Sequence, residues 1–206
     1  MVDGDLELSV PGEYSSGGYM SDSYINGKTN VGTQQQYFFR NNYFKTWQSS
    51  TAMNLVFVGN QYPFKDRCSN NWGEHHTVGE ATPTIAEKPY IAIDYTNSTK
   101  FNLIVPAMEY NLDTFSYHQH EKVIGFENVF VANELSTAAD INAKLDAGMH
   151  LVLQPGLYNL TESIVVTKEN TVILGIGFAT LINSNTSDPC IIVNNVDGVR
   201  IAGVLF

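Results

Sequence analysis

A 27-residue repeat constrains this chain more than any other feature. Ser163-Ile-Val-Val166 is matched by Cys190-Ile-Ile-Val193, and Val172-Ile-Leu174 by Val199-Arg-Ile201, both at an offset of 27. The turn formers Asn170 and Asp197 keep the same offset. A fixed period of this length marks a stacked array in which each coil buries its apolar face only against its neighbours. The segment before the repeat fits the start of such an array. Ile141 and Leu145 lie four apart on one helical face, Ser136 or Thr137 can cap the helix, and Gly148 can end it in the left-handed conformation. A period of two follows, through His150-Leu-Val-Leu153, the Pro155-Gly156 turn and Leu157-Tyr158. Residues 135–206 therefore read as a helix cap and the first coils of a parallel β-solenoid.

A looser spacing of 18–20 residues runs through residues 1–60. Leu6 to Val10 alternates, and Tyr19–Ile25, Gln36–Arg40 and Asn54–Val58 read as further strands, with turns at Asn26-Gly27, Asn41-Asn42 and Gly59-Asn60. Phe39 and Phe57, Asn42 and Asn60, and Asp22 and Arg40 each lie 18 apart. This region reads as the terminal coils of another solenoid piece. Residues 61–134 break both periods and read as a connector: a long loop over Gln61–Glu80, then two strands of a small sheet at Pro89–Asp94 and Asn102–Pro106, with Glu127–Val131 leading into the helix. The chain starts without a helical cap and stops inside the apolar run Ile201–Phe206, so it is expected to be part of a longer protein.

Composition narrows the partners. The formal net charge is −10 with only 11 Lys and Arg, which argues against nucleic acid as a partner. No run of apolar residues is long enough for a membrane span, and no signal peptide stands in this segment. Aromatics reach 12%, Tyr as common as Phe, a mix common in secreted carbohydrate-handling β proteins. Asn97, Asn159 and Asn185 head Asn-X-Ser/Thr triplets, which allow glycosylation without requiring it. Cys68 and Cys190 fit one disulfide or two free thiols, and the sequence does not choose between them.

The candidate binding residues are Gln34, Gln36, Arg40, Trp47 and Trp72. The first three belong to a dense polar patch, Gln34-Gln-Gln36 with Arg40 and Asn41. Amides and a guanidinium suit sugar hydroxyls, and the same residues suit an internal ladder that satisfies turns. The two indoles can stack on pyranose rings or pack against the coils. Glu74-His75-His76 and His118-Gln-His120-Glu121 lack a third ligand at diagnostic spacing, so no metal or cofactor is expected. Asp94, Asp113, Glu127, Asp140 and Asp197 are acidic, but a glycosidase pair is defined by carboxyl separation in space. Gly175-Ile-Gly177 is followed by no helical pattern and reads as tight packing at a coil corner.

The run Ala147-Gly-Met-His-Leu-Val-Leu-Gln-Pro-Gly-Leu-Tyr-Asn-Leu160, followed by Asn170-Thr-Val-Ile-Leu-Gly-Ile-Gly177, resembles the opening of pectate-lyase-like right-handed parallel β-helices. Two solenoid pieces joined by a connector look like the two-domain secreted proteins of glycoside hydrolase family 55, the β-1,3-glucanase type. Thr33–Asn41 and Asn54–Gly59 are similar to secreted microbial β-helix proteins. The resemblance implies an all-β right-handed parallel β-helix and an extracellular, carbohydrate-active role. It places the catalytic acid on later coils, so the catalytic residues are expected outside this segment. The expected partner is a polysaccharide, a neutral glucan before a polyuronate, because an acidic chain repels polyanions. Non-catalytic, adhesin-like polysaccharide binding and polysaccharide lyase activity are the alternatives.

Overall fold

The computed structural model describes residues 1–10, 12–48, 54–61, 75–94, 96, 99–114, 121–184 and 187–206. They divide into two compact units, Met1–Ala86 with Met108–His118, and Glu87–Ala107 with Gln119–Phe206. Strands dominate both, and the coils are parallel, as the repeats predict. Among the described residues, no helix is long and apolar enough to cross a membrane.

In the first unit, Tyr19–Ser21, Gln36–Arg40, Asn54–Val58 and His75–Gly79 pair in parallel in that order. Leu6–Glu7, Tyr24–Asn30 and Tyr43–Gln48 form a second parallel sheet. All three 18-residue spacings become contacts. Phe39 pairs with Phe57 in register, Asn42 hydrogen-bonds Asn60, and Arg40 forms an ion pair with Asp22. Side chains alternate across each strand, so Phe39, Leu55 and Phe57 point into a core shared with Ile25, Val31 and Phe44. Thr82–Ala86 and Met108–Leu112 add an antiparallel pair.

The second unit opens with an antiparallel sheet of Tyr90–Ile93, Phe101–Pro106 and Glu121–Gly125, which contains the two small strands expected near residues 90 and 104. Parallel coils follow: Val129–Ala132, His150–Leu153, Val172–Asn183 and Arg200–Leu205 stack in that order, the last pair with a register shift between Leu174 and Ala179, and Leu157–Leu160 lies beside the second half of Val172–Asn183. The strands expected within 61–134 all lie in the second unit, whereas His75–Gly79, inside the stretch read as a loop, and Thr82–Ala86 and Met108–Leu112 are further strands that belong to the first.

The helix Ala138–Asp146 starts at Thr137, whose hydroxyl accepts the Asp140 N–H while the Asp140 carboxylate accepts the Thr137 N–H. It stops at Gly148, where φ is +84°. Ala138, Ile141 and Leu145 close over a core containing Leu151, Leu153, Tyr158 and Leu160.

One register expectation needs correction. Ile164 pairs with Ile191 at the expected offset of 27, but Val172 pairs with Arg200, an offset of 28. The turn between Val193 and Arg200 is one residue longer than the turn beneath it. It absorbs the extra residue with Asn195 and Gly198 at positive φ. The corner at Gly175 is as tight as its composition predicts: a Cβ on Gly175 or on Gly203 would overlap the other's carbonyl.

His150 joins two coils through its side chain. Its Nδ1 accepts the Val172 N–H at 3.1 Å. Burial, and secondarily the Lys122 ammonium, hold the imidazole below its ordinary value near 6.5. The folded state therefore favours the neutral ring. Its stabilising contribution is full above about pH 6.5 and is lost as pH falls through that value toward the folded pKa. Thermal melts should show a fall in Tm between pH 7 and pH 5 that is shallower in His150→Asn, whose amide oxygen can accept the same N–H at every pH. Parallel profiles for the two proteins would contradict this role.

Candidate functional site

Parallel stacking converts sequence order into rows that cross the coils. On the outer face of the first unit's sheet, Tyr19 pairs with Phe38, Phe38 with Val56 and Val56 with Thr77. Their neighbours Met20, Tyr37, Phe39, Leu55, Phe57 and Val78 point the other way, into or against the core. The result is a rib of two aromatics, a valine and a threonine. The rings of Tyr19 and Phe38 lie 5.6 Å apart and 16° from parallel.

Two rows border the rib. On one side Gln36 pairs with Asn54, and both are exposed. On the other side Arg40 is buried against Asp22, with Nη2 at 2.9 Å from the carboxylate, and its Nε donates to the Tyr19 hydroxyl at 3.0 Å. This ion pair cancels the charge along that edge and fixes the Tyr19 ring. Chemically, the face offers an apolar centre, amide donors and acceptors on one edge, and a neutralised pair on the other.

The sequence candidates divide sharply. Gln36 stands on this outer face. Gln34 is buried and its Nε2 donates to the Leu8 carbonyl, so it ties a loop to the first coil. Arg40 holds Asp22 and Tyr19. Trp47 packs edge-on against Phe39, Phe44 and Phe57 at 5.2–5.3 Å and serves the core. Gln34 is thus turned inward, and Trp47 is partly buried against the core rings. Trp72 lies outside the described residues, as do Cys68, Glu74, His118, His120, Asn97 and Asn185.

The internal ladder anticipated for the polar patch belongs to Asn42 and Asn60. The fully buried Asn42 amide accepts the Ser23 N–H and donates to Met20 O and Asn60 Oδ1. Asn60 Nδ2 donates to Phe39 O and Val58 O. His76 is buried with its ring 5.4 Å from that of Phe57. Cys190 is a half-buried free thiol whose Sγ lies 3.7 Å from Leu181 O. Among the described residues, no group of three or more His, Cys, Asp or Glu is placed to hold a metal ion. The Asp94 carboxylate accepts from Thr96 in a local turn, and that of Asp140 caps the helix.

Sequence reasoning missed Tyr19, Phe38 and Asn54 as surface partners of Gln36. The signal lay in the spacing: 18 residues separate Gln36 from Asn54, as they do Phe39 from Phe57.

Comparison with known proteins points one way. Residues 129–206 match the LAM55 pectate lyase-like domain. An exo-beta-1,3-glucanase of Streptomyces sp. (strain SirexAA-E / ActE) is 32% identical over 209 residues, covering 99% of this chain and 33% of that protein. The structure of sacteLam55A from Streptomyces sp. SirexAA-E matches with a TM-score of 0.84 at 30% identity, over 97% of this chain and 36% of the other. A variant of sacteLam55A in complex with glucose gives the same TM-score and the same coverage of both chains, at 31% identity. This chain spans about a third of the length of these relatives.

Proposed function

We propose that the chain, whose residues 129–206 match the LAM55 pectate lyase-like domain, is part of an extracellular glycoside hydrolase of the β-1,3-glucanase type, acting on a neutral glucan. The observation that carries this reading is the match to an exo-beta-1,3-glucanase along 99% of the chain. The fold agrees over nearly its whole length with a relative whose variant was solved in complex with glucose. The charge agrees as well, because a chain of net charge −10 repels polyuronates at long range and leaves neutral glucans unaffected.

Hydrolysis of a glycosidic bond requires one carboxylic acid to protonate the leaving oxygen and a second group to activate water. On this reading both belong to coils outside residues 1–206, and this segment supplies scaffold and glucan contacts, with Gln36 among the latter. The test is sugar release from laminarin, cellulose, an α-glucan and polygalacturonate by the protein extended through its natural reading frame. Release of glucose from laminarin, with none from polygalacturonate, is expected. Unsaturated products from polygalacturonate would replace the hydrolase by a lyase. Binding without release from any polymer would replace it by a non-catalytic binder.

A further inference from the structure

We propose that the outer face of the first unit's sheet is a binding strip for a neutral β-linked glucan running across the coils. Its sugar faces would rest on Tyr19, Phe38 and Val56, and its hydroxyls would meet Gln36 and Asn54. The inference rests on the glucan reading above and adds a place and a direction to it.

Three observations select this ligand. First, the rib runs across successive coils, which lie about 4.8 Å apart, so it repeats on the scale of one sugar unit. A linear polymer whose units alternate apolar faces with polar rims matches a surface built of repeating rows. Second, the polar border is made of amides: Gln36 and Asn54 are exposed and adjacent in register. An amide both donates and accepts, as a hydroxyl does, so it pairs with sugar hydroxyls whichever way they point. Third, among the described residues the cation at that edge is already neutralised. Arg40 is buried in its ion pair with Asp22 and turned toward the Tyr19 hydroxyl, so its guanidinium is not presented to a uronate or a phosphate. Arg40 is thus a positioning residue that holds the Tyr19 ring against Phe38.

A β-linked glucose carries its ring substituents equatorially, so both of its faces are apolar and its edge is polar. That profile complements an apolar rib flanked by amides. A peptide partner would instead meet a narrow rib with hydrogen-bonding groups on its flank and a neutral edge, which gives it neither a deep anchor pocket nor a charge to pair with.

The strip can be tested on the protein by affinity electrophoresis in gels containing laminarin, an α-glucan or polygalacturonate. The variants are Tyr19→Ala, Tyr19→Phe, Gln36→Ala combined with Asn54→Ala, and Tyr14→Ala. Tyr14 is 90% exposed and lies off the strip, so it controls for general stickiness. The parent should be retarded by laminarin and not by polygalacturonate. Tyr19→Ala and the double amide variant should each weaken retardation roughly five- to tenfold. Tyr14→Ala should match the parent, and Tyr19→Phe, which keeps the ring but loses the Arg40 contact, should fall between the parent and Tyr19→Ala. Matching thermal melts show that a loss is not unfolding, and Tyr19→Phe guards against loss of the Arg40 contact alone.

Retardation unchanged in every variant would overturn the strip while leaving the glucan reading intact, because laminarin hydrolysis by the extended protein is measured separately. No retardation of the parent by laminarin would also overturn the strip. Equal or stronger retardation by polygalacturonate would overturn its neutral selectivity.

Discussion

Phe39→Ala should lower the stability of the first unit by about 3–5 kcal/mol, the largest single-site effect expected in this protein. Phe39 is fully buried at the centre of a ring cluster. It stacks on Phe57 at 5.0 Å and on Tyr37 at 4.4 Å, while Phe44 and Trp47 meet it edge-on at 5.5 and 5.3 Å. Removing the ring leaves a cavity bounded by four aromatic groups that are themselves tied to successive coils, so the site has little freedom to collapse. Urea unfolding measures the loss directly. Phe39→Leu should recover more than half of it by refilling most of the volume. A loss below about 1 kcal/mol for the alanine variant would mean that these rings do not form the core.

The second large effect is electrostatic in origin. Asn42→Ala should cost roughly 2–4 kcal/mol, because it removes the partner of the Ser23 N–H and the Met20 carbonyl at a fully buried position. Asn42→Asp keeps the shape and should cost at least as much. It replaces two N–H donors with an acceptor aimed at Met20 O and Asn60 Oδ1, and it buries a charge without a partner. Denaturation of the two variants side by side separates the amide's hydrogen bonds from its volume. Full tolerance of the aspartate would show that the ladder is not satisfied as described.

At these two sites the fold is legible in the sequence. The 18-residue spacing correctly joined Phe39 to Phe57 and Asn42 to Asn60, because a side chain in a parallel coil is stacked on the residue one coil later. The 27-residue spacing was right at Ile164 and Ile191 and one residue short at Val172, since a turn can absorb an inserted residue without disturbing either strand. Spacing alone did not reveal which face a polar residue takes at a strand boundary. Gln34 and Arg40 are as polar as Gln36, yet their amide and guanidinium groups turn to Leu8 O and to Asp22 with Tyr19. Buried donors with nearby acceptors outcompete water there. Trp47 likewise follows the aromatic core rather than the solvent. The outer rib is hidden because Tyr19–Ser21 pairs with Phe38–Arg40 at an offset of 19 while the next pair of coils keeps 18. Only the paired register brings them into one row.

Calorimetric titration of the protein with laminarin and, in parallel, with polygalacturonate asks which polymer this chain takes. Saturable binding to laminarin and none to polygalacturonate at the same concentrations is expected. Tighter binding to polygalacturonate, or no heat from either polymer, would contradict the assignment of this chain to a neutral-glucan-active β-helix protein.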